Sequence, residues 1–188
     1  VRVRLAMLAL TVAAVSAPPA RAEPGGPLLS LVDAAAERLQ VAEPVASYKW
    51  RTHGAVEDPA RVRQELATLR EDAAAAQIDP DYVATVFTDQ IGATEAIEYS
   101  RFAEWKLDPA TVPPAPPDLT TARTVIDDLN TKILSHISLN WSLLHSPACT
   151  AELAAASAES IRRRRFDDLY RRALTAATRS YCQVAAQA

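Results

Sequence analysis

Glycine is scarce in this 188-residue chain, which holds only four. That scarcity removes whole classes of chemistry. The glycine-rich loops that cradle phosphates are absent, and so is the G-x-S-x-G elbow that would expose a nucleophilic serine. His53, His136 and His145 are the three histidines, and none has a paired acid in a motif. None stands at metal-ligand spacing from a cysteine, so a zinc site is set aside along with Ser-His-Asp hydrolysis. Strand-like alternation is also hard to find. Beyond the first stretch, no segment is apolar enough to cross a bilayer. Cysteine is limited to Cys149 and Cys182.

What is present begins with an export signal. Arg2 and Arg4 precede an apolar run, Leu5 to Val15, broken only by Thr11, and Ala20-Arg21-Ala22 supplies a small-x-small cleavage pattern. A bilayer-spanning helix needs about 20 apolar residues, so the run is read as a signal peptide over 1–22 rather than a membrane anchor. The remaining domain, 23–188, has enough residues for one sizeable core. Cleavage removes three arginines and takes the formal charge from −3 to −6, which argues against a nucleic-acid coat. In an exported chain two cysteines and no orphan thiol imply one disulfide, Cys149–Cys182, rather than two free buried thiols.

Alanine, leucine, glutamate and arginine dominate, and prolines divide the chain into helical pieces. The pattern predicts an all-α, one-domain bundle of about six helices, near 28–52, 59–77, 80–107, 119–144, 150–161 and 163–183. Pro44 should kink or break the first near Ala42. Asp58-Pro59 and Asp79-Pro80 each supply an N-cap followed by a proline suited to the first helical position. Pro109 to Pro117 contains five prolines and reads as a stiff extended connector.

Charged residues on apolar stripes are the next signal. In the third segment the stripe Val83, Phe87, Ile91 continues into Thr94 and Glu98, as though that face lined a pocket. In the fourth, Arg123 sits one turn before Ile126, Leu129, Ile133 and Ile137. A half-buried arginine needs an anion, and Asp127 one turn on is one candidate, a ligand the other. Arg38 and Lys49 lie on one side of the first segment, about 16 Å apart along a straight helix. Asp58, Arg61 and Glu65 share a face of the second. Any one of these is ordinarily a solvated helix charge; only the set is specific. The run Arg162 to Arg165 reads as a solvated face, and Trp50, Trp105 and Trp141 as core anchors.

Arg38, Lys49, Asp58, Arg61, Thr94 and Glu98, in this order and at these intervals, resemble the active-site pattern of the AroQ-type chorismate mutases. Ala35-Ala36-Glu37-Arg38, Tyr48-Lys49-Trp50-Arg51, Ile78-Asp79-Pro80-Asp81-Tyr82-Val83 and Thr94-Glu95-Ala96-Ile97-Glu98-Tyr99 look like that family's exported gamma subclass. The resemblance runs from about Leu28 to Cys182. It implies a helical homodimer without cofactor, acting on chorismate, to which the acidic charge and the hydropathy add no nucleic-acid partner and no lasting membrane insertion, and the cysteine and histidine spacing no metal. It also implies that Arg123 supplies a pocket cation from within the chain, with Asp127 as its brace.

Chorismate carries two carboxylates, so a cationic site is expected. Its rearrangement to prephenate is intramolecular and needs no nucleophile. By resemblance Arg38, Arg61 and Arg123 hold the carboxylates, Lys49 reaches a carboxylate and the breaking ether bond, and Thr94 orients a carboxylate. Asp58 holds the ring hydroxyl or positions Arg61. Glu65 contacts substrate through its backbone or tunes Arg61. Glu98 stands where many members carry a glutamine that donates to the ether oxygen. Two rival readings remain: an isochorismate-pyruvate lyase on the same fold, and a non-catalytic exported helical binding domain.

Overall fold

The computed structural model describes residues 25–183. The segment read as a signal peptide lies outside them. Among the described residues the chain is helical: α1 (Leu29–Gln40), α2 (Ala42–Thr52), α3 (Pro59–Ala75), α4 (Pro80–Leu107), a 3-10 turn (Pro109–Thr111), α5 (Thr120–Leu139), α6 (Trp141–Leu144), α7 (Cys149–Arg164) and α8 (Asp168–Ala177). The six expected segments are there, two of them divided. None of the helices is long and apolar enough to cross a membrane.

The first division falls where proline chemistry demands it. Pro44 has no N–H to give the carbonyl of Gln40, so the ladder is interrupted. α1 ends there, Val41 forms a one-residue step with its N–H on the Arg38 carbonyl at 3.2 Å, and α2 begins. The second falls at Asn140, whose side-chain amide donates to the His136 carbonyl at 2.9 Å. α2 then stops on His53 in the left-handed conformation (φ 56°), and Gly54 N–H closes the end on the Lys49 carbonyl at 2.8 Å. Both proline-following caps form: Asp58 accepts from Arg61 N–H, and Asp79 accepts from the N–H groups of Asp81 and Tyr82.

The end of the chain departs from expectation. α7 does not stop at 161 but runs to Arg164, with Arg165 left-handed (φ 53°) and Phe166 N–H returning to the Ile161 carbonyl. α8 starts only after the Asp167 cap and ends at Ala177, so 178–183 is not helix. Phe166 is buried, and turning it inward is what breaks the arginine-rich helix. Of the arginine run, Arg162 and Arg163 pair with Glu159, and Arg163 and Arg164 reach back to Asp33 on α1. After its opening 3-10 turn the proline-rich connector turns extended at Val112 and forms no further helix before α5.

α4 is the spine. Its 28 residues pack against α1, α2, α3 and α8, and Val83, Val86, Phe87, Ala93 and Ile97 join the core with Leu31, Val32 and Leu39 of α1. α5 lies along α1 on the other side. Trp105 is buried as expected, while Trp50 and Trp141 are only half-buried. The Cys149–Cys182 bond is present and closes a separation of 33 residues. It ties the last described residues to the start of α7, and Tyr181 beside it is fully buried. Replacing both cysteines with alanine is expected to lower stability by about 3 kcal/mol, read from urea midpoints. An unchanged midpoint would mean that noncovalent packing alone holds that end.

Candidate active site

α1, α2 and α3, the middle of α4 and the start of α5 enclose one pocket of ≈ 140 Å³. All eight residues singled out in the sequence line it: Arg38, Lys49, Asp58, Arg61, Glu65, Thr94, Glu98 and Arg123. Val45, Val56, Val62, Ile91 and Ile126 supply apolar wall between them. None of the three histidines takes part.

Arg38 is the most deeply set cation, with 3% of its surface exposed. Its Nε donates to Asn130 Oδ1 at 2.8 Å, its Nη2 to Glu65 Oε1 at 2.8 Å, and its Nη1 to Thr94 Oγ1 at a long 3.4 Å. Burial pulls the guanidinium pKa down, and the Glu65 charge and hydrogen bond oppose that. Lys49 Nζ donates to Glu98 Oε2 at 2.8 Å and to the Val56 carbonyl at 2.7 Å. The second bond secures the loop between α2 and α3 over the site.

Glu98 is only 3% exposed. Loss of solvent raises its carboxyl pKa above the ordinary range, Lys49 pulls it back, and Glu95 nearby adds to the rise. Glu95 also lines the pocket and is itself shifted upward, chiefly by burial, then by the charge of Glu57, against the pull of Lys49.

Three expectations need correction. Asp127 does not brace Arg123; it lies 3.6 Å from Arg61. Arg123 is exposed and makes no side-chain hydrogen bond or ion pair among the described residues, because Asp127, though on the same face of α5, is directed toward Arg61. Glu65 does not tune Arg61 but engages Arg38. The pocket's cations are also not unopposed, as the expectation of a cationic site would have them. Arg38, Lys49, Arg61 and Arg123 are matched in number by Asp58, Glu65, Glu95 and Glu98. Asp58, meanwhile, spends one oxygen on the Arg61 backbone N–H at 3.0 Å, so it shapes the start of α3.

Two nearby residues escaped the sequence reading. Glu95 follows Thr94 and sits one turn before Glu98. Asn130 lies four residues after Ile126 and three before Ile133, a polar residue embedded in an apolar stripe, and that break in the pattern was the available signal.

The family model described as chorismate mutase type II matches residues 29–99, the stretch carrying seven of these eight residues. The chain belongs to the chorismate mutase family. It is 55% identical over 181 residues to the secreted chorismate mutase of Mycobacterium tuberculosis, covering 96% of this chain and 91% of that one. To the secreted chorismate mutase of Mycolicibacterium smegmatis it is 48% identical over 180 residues, covering 95% and 99%. The crystal structure of a chorismate mutase from Burkholderia thailandensis superposes with a TM-score of 0.78 at 33% identity, covering 83% of this chain and 99% of that one.

Proposed function

We propose that this protein rearranges chorismate to prephenate in the pocket between α1 and α5. The observation that carries the reading is the convergence of eight residues from five helical regions on a single hollow. Arg38 and Arg123 take the two carboxylates of the substrate, and Arg61 supports one of them; a planar guanidinium suits bidentate contact with a carboxylate. Thr94 Oγ1 stands beside Arg38 Nη1 and orients the same carboxylate. Asp58, through its cap on α3, sets the position of Arg61.

The reaction breaks a C–O bond and forms a C–C bond within one molecule, so no nucleophile or covalent intermediate is required. Two things remain for the protein to do. It holds the flexible enolpyruvyl arm over the ring, which converts conformational entropy into rate. It also stabilises negative charge that gathers on the ether oxygen as the C–O bond lengthens. Lys49 and Glu98 are the groups for that second task, Lys49 as a cation and Glu98 as a donor when protonated. The dianion favours that proton on Glu98, since a neutral acid does not repel it.

The protein is exported, as are the relatives named as secreted, and residues 1–22 serve as its signal peptide in this reading. A homodimer rests on the family resemblance. The residues assigned here all come from one chain, so a second copy is not needed to complete the pocket.

Incubation of the purified protein with chorismate is expected to yield prephenate, with isochorismate giving no salicylate. Salicylate and pyruvate as the products would identify a lyase, and depletion of neither substrate would leave a binding domain.

A further inference from the structure

Asn130 of α5 is 5% exposed and does not line the pocket. It stands behind Arg38, in the wall of a second hollow between α3 and α5 that Glu65 also lines. Three hydrogen bonds close a ring there. Arg38 Nε donates to Asn130 Oδ1 at 2.8 Å, Arg38 Nη2 donates to Glu65 Oε1 at 2.8 Å, and Asn130 Nδ2 donates to that same glutamate oxygen at 3.0 Å. One edge of the guanidinium is therefore fixed from behind. The opposite side, Nη1, keeps only its long bond to Thr94, on the pocket wall.

The residue type matters. An amide offers an acceptor to Arg38 and a donor to Glu65 at once. A carboxylate in its place would meet the Glu65 oxygen with no proton between them. An aliphatic side chain would leave Arg38 Nε and Glu65 each short of a partner in a buried place.

We infer that Asn130 is a positioning residue for substrate binding: with Glu65 it locks the Arg38 guanidinium so that its Nη1 edge is presented to one carboxylate of the bound dianion. The inference rests on the reading of Arg38 as a substrate ligand. Its physical content is preorganisation. A free arginine loses side-chain entropy on gripping a ligand, whereas a clamped one has lost it already. The grip is made in ground state and transition state alike, so its loss falls on KM rather than kcat.

In the purified full-length enzyme, Asn130→Ala is expected to raise KM for chorismate about tenfold, the equivalent of one charge-assisted hydrogen bond, with kcat within about threefold. Leu134→Ala, one turn along the same helix, removes a buried side chain and is expected to lower thermal stability while leaving KM unchanged. Asn130→Asp alone raises KM further by setting two carboxylates against each other. Combining it with Glu65→Gln returns one acid and one amide to the ring, and KM falls back to within about threefold of wild type. An unchanged KM in Asn130→Ala, a KM rise in Leu134→Ala of the same size, or no recovery in the double variant overturns the clamp. If instead Arg38→Ala retains normal KM and kcat, the assignment of Arg38 itself fails.

Discussion

Glu98→Ala is expected to lower kcat by about 10²–10³-fold, the usual cost of removing one donor aimed at a developing oxyanion. Glu98→Gln, by contrast, is expected to stay active. The two outcomes follow from burial and chemistry together. Glu98 is almost fully enclosed and its carboxyl is pushed upward by loss of solvent, with the Lys49 hydrogen bond and charge opposing. Only the protonated acid can donate to the ether oxygen, so turnover of the wild-type enzyme should fall as pH rises through that raised pKa. Glutamine donates at every pH, and the fall should vanish from its profile. Measuring kcat against pH for both proteins checks the claim. A wild-type profile as flat as that of the glutamine variant would remove proton donation from Glu98, and an alanine variant of normal kcat would remove the residue from catalysis.

Lys49→Ala should be the more damaging change in kcat/KM, by roughly 10³-fold. Two losses coincide. The cation assigned in the proposed mechanism to the breaking ether bond disappears, and Glu98 loses its ion pair at 2.8 Å. The Val56 carbonyl loses its donor as well, so the loop between α2 and α3 is no longer held over the pocket. Lys49→Arg is not a safe substitute, because a planar fork cannot reproduce a compact ammonium between a carboxylate and a carbonyl. Steady-state kinetics on chorismate decides it. A Lys49→Ala enzyme within tenfold of wild-type kcat/KM would mean that charge at this position is not part of the mechanism.

The helical architecture was legible because its boundaries are written in proline and aspartate. Asp58-Pro59, Asp79-Pro80 and Pro44 each act through local chemistry, a cap or a missing N–H, that no tertiary contact overrode. The arginine-rich segment failed for the opposite reason. Arg162 to Arg165 are good helix formers, and what ended the helix was the burial of Phe166, a demand of the core that propensity does not carry. The same division holds at the pocket. That eight side chains meet was readable from spacing and resemblance; which acid answers which base was not. Asp127 looked like the partner of Arg123 because it lies one turn away in sequence, yet it faces Arg61 across from α3. Glu65 and Asn130 meet Arg38 over separations of 27 and 92 residues, distances at which periodicity is silent.

The even match of acids and bases around the hollow bears on how substrate arrives. An enzyme that gathers dianions with an unbalanced positive funnel draws them over nanometres and loses that advantage as ionic strength rises. Here the chain as a whole carries net negative charge, and each base around the cavity has an acid in its neighbourhood. Long-range attraction is correspondingly muted, and more of the selection falls to contact inside the pocket.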